Sequence, residues 1–161
     1  METEILKKID EIEEQMIDAI KSIVRIDSVK SEAQPGMPFG KGVNDALEAT
    51  LKLCEELGFE TENVDGRMGI AKYGQGEDYI GIIGHLDVVP VGDGWKHEPF
   101  GAEEVNGRIF GRGILDNKGP VLSCLFALYV LKELNIKLKH PVWILFGTDE
   151  ESGKRGKGYR W

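Results

Sequence analysis

Apolar residues recur at steps of three and four along residues 3–26: Ile5, Ile9, Ile12, Met16, Ile20 and Ile23, with charged residues between them. That period draws one apolar stripe down a helix and predicts that the stripe packs on a core. Residues 27–41 carry Ser, Pro and Gly and read as a loop. A second helical period covers about 43–57, with Val43, Leu47, Cys54 and Leu57 inward. Gly58 follows as a residue that can take the left-handed conformation closing a helix. Two strands are predicted next, at 69–73 and 79–84, joined by a polar loop. The second is apolar on both faces, the pattern of a central strand covered by helices on each side.

Residues 90–105 lack any period and contain Pro90, Gly92, Gly94, Pro99 and Gly101, the composition of a functional loop. Ile109 and Phe110 suggest a short strand. From 120 to 134 the chain is apolar almost all round, so this helix should be deeply buried, with Pro120 in its first turn. A last strand, again apolar on both sides, spans 141–147. This alternation predicts an α/β fold, a three-layer helix–sheet–helix sandwich with a mixed, mostly parallel sheet.

Composition narrows the function without naming it. The 161 residues are 41% hydrophobic and 30% charged, as in an ordinary soluble domain. The net charge of −8 comes without a basic stripe, which argues against nucleic acid. No apolar run reaches membrane-spanning length, and the start, Met1-Glu2-Thr3-Glu4, lacks an apolar signal core. The expected location is cytoplasmic, with no membrane partner. Two cysteines, Cys54 and Cys124, do not make a disulfide scaffold or a Cys-type zinc site. Lys154, Arg155, Lys157 and Arg160 crowd into the last eight residues, which hold no acid. The body before them is correspondingly more acidic, which suits bound divalent cations or a solvated surface.

Candidate chemistry sits where the apolar runs end. His85 and Asp87 stand two apart after the 79–84 strand, so an extended chain would place them on one face. Imidazole ligates zinc well, and a nearby carboxylate commonly orients the ring. Glu150 and Glu151 follow the 141–147 strand, and Asp116 precedes the buried helix, where free N–H groups favour an ionised carboxylate. Each alone is more often structural: a His–carboxylate hydrogen bond, a helix cap, a solvated loop. Their joint position at strand ends, where α/β sheets open their ligand crevice, favours a metal site. His97 and His140 read as surface residues. Gly111-Arg112-Gly113 lacks the continuation of a phosphate loop and reads as a tight turn.

Four stretches now stand together: His85 through Trp95, Pro99-Phe100, Gly111-Arg112-Gly113 through Asp116-Asn117-Lys118-Gly119-Pro120, and Asp149-Glu150-Glu151-Ser152-Gly153. In this order they resemble the dizinc aminoacylase/carboxypeptidase family of metallopeptidases. The Asp-Asn-Lys-Gly-Pro and Glu-Glu-Ser-Gly forms are most like its bacterial Xaa-His (β-alanyl) dipeptidases and carnosinase-like dipeptidases. The resemblance implies zinc-dependent hydrolysis of dipeptides, with two zinc ions per complete site and cobalt or manganese as other metals. It implies His85 as a ligand of one metal, Asp87 as its orienting acid, Asp116 as the bridge and Glu151 as a ligand of the other metal. Glu150 would be the general base, and the Asp116–Asn117 peptide would be cis.

The family also uses an acidic ligand beyond the paired glutamates, a histidine near the C-terminus and a lid domain, which the resemblance does not find here. Residues 1–153 are therefore expected to be the N-terminal part of a catalytic domain, and 154–161 a basic tail outside the fold. Such a chain, truncated or cut, should bind metal weakly, be inactive alone and self-associate through an uncovered core surface. The alternatives are a non-catalytic α/β fragment that self-associates, and a related N-acyl-amino-acid deacylase or carboxypeptidase.

Overall fold

A computed structural model describes residues 1–76 and 78–151. The expected tail at 154–161, and the Ser152-Gly153 end of the last motif, lie outside the described residues. The elements in order are helix α1 (Glu2–Val24), helix α2 (Lys41–Glu56), strands β1 (Glu60–Val64), β2 (Met68–Tyr73), β3 (Ile80–His85), β4 (Glu103–Val105) and β5 (Arg108–Phe110), helix α3 (Lys118–Glu133) and strand β6 (Val142–Gly147).

The helices form where the apolar periods place them. In α1, Ile12, Ile20, Ile23 and Val24 are buried, while Ile9 stays 39% exposed in the first half of the helix. In α2, the inward set is Val43, Ala46, Leu47, Thr50, Leu51 and Cys54. Gly58 ends it with φ +76°: its N–H donates to Glu55 O and that of Phe59 to Cys54 O, a Schellman closure. Helix α3 is buried on most sides, through Val121, Leu122, Leu125, Phe126, Leu128 and Val130.

Strands β1-β2-β6-β3 form a mixed four-stranded sheet. The α/β class and the mixed sheet follow the expectation, but the balance of directions differs. Only β3–β6 is parallel, whereas β1–β2 and β2–β6 are antiparallel. The physical reason lies in β1, whose sequence Glu-Thr-Glu-Asn-Val shows no apolar run; a tight turn through Asp65 and Gly66, both at positive φ, folds it back on β2. The short strand suggested by Ile109 and Phe110 is β5, and its partner β4 was hidden at the end of the aperiodic 90–105 stretch. Their turn, Asn106-Gly107, has φ of 51° and 72°, the conformation that lets a two-residue connection match strand twist.

Helices α2 and α3 share one face of the sheet. Gly69, Phe146 and Gly84 lie in one cross-strand row; a Cβ on Gly69 would meet Leu47 and Leu51 of α2, and one on Gly84 would meet Val121 of α3. Helix α1 packs against α3. The opposite face carries Ile83, 61% exposed, and a stacked Tyr79–Trp143 pair with ring centroids 3.8 Å apart. The second helix layer of the expected sandwich is not among the described residues. Strand β3, expected to be central, is an edge strand here, because nothing described pairs with its outer side.

Candidate metal centre

Parallel pairing sets up the site. Because β3 and β6 run the same way, His85 lies beside Gly147, and the segments that leave both strands emerge at one end of the sheet. The start of α3 lies at this end too. The His85 N–H donates to Asn117 Oδ1 at 3.3 Å, and a Cβ at Gly84 would come within 2.3 Å of that oxygen. Only glycine lets the second motif approach the strand this closely.

His85 is 7% exposed and Asp87 1%. The His85 Nδ1 lies 3.0 Å from the Asp87 carbonyl oxygen, so this nitrogen carries the donated hydrogen. The Asp87 carboxylate is 3.5 Å from the same nitrogen and spends both oxygens elsewhere. Oδ1 accepts the Glu150 N–H at 3.1 Å, and Oδ2 accepts the Glu151 N–H at 2.9 Å. One buried acid thus ties the loop after β3 to the loop after β6. Thr148 anchors that second loop from the other side, donating to the Gly66 and Arg67 carbonyls, and Asp149 pairs with Lys30 at 2.9 Å.

The other ring nitrogen of His85, Nε2, points into the acid cluster. It lies 3.1 Å from Asp116 Oδ1 and 3.8 Å from Glu150 Oε2. Ligand atoms of His85, Glu150 and Glu151 lie within 4.8 Å of one another. Asp116 does not cap α3 with its side chain, and Asn117 occupies the cap position. The Asp116–Asn117 peptide is cis, as the resemblance implied. All five site residues singled out in the sequence are therefore brought to one end of the sheet. His97 is elsewhere, bonded to Glu103 at 2.8 Å and stacked on Phe110.

The electrostatics are those of one imidazole set among several acids. Burial pulls the His85 imidazole down, and the hydrogen bonds and charge of Asp87 together with Asp116 more than reverse this, up to about 9. Burial, reinforced by the charges of Asp116 and Glu150, pushes the Glu151 carboxyl above its ordinary value. One imidazole nitrogen and the carboxylates of Glu150 and Glu151 converge on one spot, with Asp116 against the same ring nitrogen, a donor set that fits a divalent ion taking nitrogen and oxygen ligands.

Sequence reasoning missed Asn117, Lys118 and Ser28, which hold these segments together without touching the cluster's centre. The one legible signal was Lys118, a charge at the mouth of an otherwise apolar helix.

Comparison with known proteins places this geometry. The sequence profile of peptidase family M20/M25/M40 matches residues 81–161. The chain belongs to this family. It is 46% identical over 156 residues to YtjP of Bacillus subtilis, provisionally named a dipeptidase, covering 96% of the chain and 33% of that relative. A similarly named protein of Staphylococcus saprophyticus is 39% identical over 147 residues, covering 90% of the chain and 31% of the relative. The chain thus spans about a third of the length of the curated relatives it matches.

Among solved M20 structures, human carnosine dipeptidase 1 superposes with a TM-score of 0.79 at 25% identity, over 93% of this chain and 35% of that one. The metallo-carboxypeptidase Sso-CP2 of Sulfolobus solfataricus, an M20 family member, gives 0.69 at 27% identity, over 83% and 30%. The yeast di-peptidase Dug1p shares the fold with a TM-score of 0.78 at 23% identity, over 94% and 35%.

Proposed function

We propose that this cluster serves metal-dependent hydrolysis of dipeptides, with zinc as the working metal and cobalt or manganese as substitutes. The observation that carries the reading is the convergence of His85, Glu150 and Glu151 at the ends of two parallel strands, with Asp116 at the start of a buried helix against His85 Nε2. The names of the dipeptidase relatives support the substrate class; the carboxypeptidase neighbour keeps a deacylase or carboxypeptidase as the nearest alternative.

His85 and Asp116 would hold one ion, and Asp116 and Glu151 the other, with Asp116 as the shared ligand. Two such ions supply an acidified water and a polarised scissile carbonyl when bound. Asp87 fixes the His85 ring through its own carbonyl and holds the Glu150–Glu151 backbone, so ligand and base keep one spacing. Glu150, 63% exposed in its side chain, is free to take a proton from water and return it to the leaving amine.

These residues offer two protein donors per ion, whereas catalytic zinc commonly has three plus water. Metal retention by this chain is therefore weak, and turnover is expected from the site when further ligands join it. A cytoplasmic location accords with a chain in which, among the described residues, no helix is long and apolar enough to cross a membrane.

A second reading has its own observation. The uncovered face of β3, with Ile83 61% exposed, and its unpaired edge favour a chain that self-associates and does no chemistry. Equilibration of the purified chain with zinc, followed by retained-metal analysis and a dipeptide hydrolysis assay, separates the two. Metal with turnover removes the second reading; oligomers that take up no metal even at saturating zinc remove the first. In a completed chain, Glu150→Gln is expected to abolish turnover and keep the metal, while metal loss would exchange the roles of Glu150 and Glu151.

A further inference from the structure

Both halves of the cluster lean on one short segment that carries none of its ligands. Residues 26–29, just past the end of α1, are gripped from two directions. From the first motif, the buried Ser28 hydroxyl donates to Leu86 O at 2.6 Å, the Val88 N–H donates to Ser28 O at 3.2 Å, and Val29 forms a parallel bridge with Val88. From the second motif, the fully buried Lys118 ammonium donates to Ile26 O at 2.7 Å and to Ile23 O at 3.1 Å.

The contact is close enough to require glycine in a neighbour, since a Cβ on Gly42 of α2 would lie 2.0 Å from Asp27 O. A buried ammonium is costly to fold in, and an apolar side chain of similar length would fill the same space at less cost. Lys118 uses its charge on two main-chain oxygens at the negative end of α1. The result is a strut from His85 through Leu86 and Ser28 to Ile26, then through Lys118 to Asp116.

We propose that Ser28 and Lys118 are positioning residues, which set the separation of His85 and Asp116 by pinning both motifs to the C-terminal turn of α1. This rests on the metal-site reading above, but its geometry can be tested without metal. The variants are Ser28→Ala and Lys118→Met, with Thr50→Val as a control. Thr50 is equally buried, and its hydroxyl bonds only Ala46 O within α2.

Amide hydrogen exchange should quicken about tenfold or more at 85–88 in Ser28→Ala and at 114–119 in Lys118→Met, with the β2–β6 ladder unchanged in both. Cobalt(II) titration, read by visible absorption, should weaken about tenfold or more in both variants and stay unchanged in Thr50→Val. Ser28→Ala removes a single hydroxyl and carries the test should Lys118→Met fail to fold. Exchange in both variants like that of the control would overturn the strut. Loosened segments with wild-type cobalt affinity would reduce it to a fold element and overturn the positioning role. If the wild-type chain takes up no cobalt, the metal-site reading falls, and exchange alone decides the strut.

Discussion

The two limbs of the site are built on opposite terms. One limb, His85 and Asp87, is nearly sealed from water and cross-tied by main-chain hydrogen bonds to two other segments. The other limb, Asp116 and Glu150, leaves 74% and 63% of its side chains in solvent. The buried limb therefore supplies geometry, and the exposed limb supplies charge. Rigid placement of one nitrogen donor lets carboxylates of like charge gather around it, because their repulsion is screened by water until a cation arrives.

Breaking the buried limb should cost most. Asp87→Ala strands the Glu150 and Glu151 N–H groups and removes the charge beside His85. Hydrogen bonds to a buried charged acceptor make this worth about 3 kcal/mol or more of stability, read from urea midpoints. Metal retention should go with it. A loss below about 1 kcal/mol would show that the two loops hold themselves without Asp87.

The imidazole gives a pH signature in the metal-free chain. Its folded value of about 9 lies above the ordinary 6.5, so its stabilisation is full below 6.5 and is lost as pH rises through about 9. Lys118 complicates the upper part of that window, since burial depresses it to about 8 and its cost is relieved above that pH. Between pH 6.5 and 8 the imidazole acts alone of the two. Stability there should fall by about 1–2 kcal/mol, and His85→Gln should flatten the slope.

The exposed limb should be nearly silent in folding. Glu150→Gln is expected to shift stability by less than about 0.5 kcal/mol, in contrast to its expected effect on turnover. Smallest of all on stability should be Ile83→Lys on the open face of the sheet. Its effect should appear instead in sedimentation, as a shift toward monomer if that face drives self-association.

Legibility in the sequence followed the same division. The helical periods located α1 and α2 because each buries one strong stripe, a long run apolar all round located α3, and the two-sided apolar runs located β3 and β6. The motifs at their ends marked His85, Asp116, Glu150 and Glu151. Strand β1 was invisible, since its residues are polar and it forms only by pairing with β2. Of the β4–β5 hairpin only the second strand was expected, from Ile109 and Phe110; β4 is too short and too polar to show a period. A reading by alternation placed Asp87 on a shared face with His85. The strand ends at His85, and the ring turns to the Asp87 carbonyl while the carboxylate serves the next loop. Such main-chain partnerships leave no trace in side-chain spacing, which is also why Ser28 and Asn117 passed unnoticed.

The most direct test of the central claim is an anomalous diffraction map of the chain crystallised with zinc. The account predicts a zinc peak about 2.0–2.2 Å from His85 Nε2 and from carboxylate oxygens of Asp116 or Glu151, with the His85–Asp116 contact opened to admit it. Zinc bound at surface acids alone, with His85 Nε2 still bonded to Asp116, would contradict it.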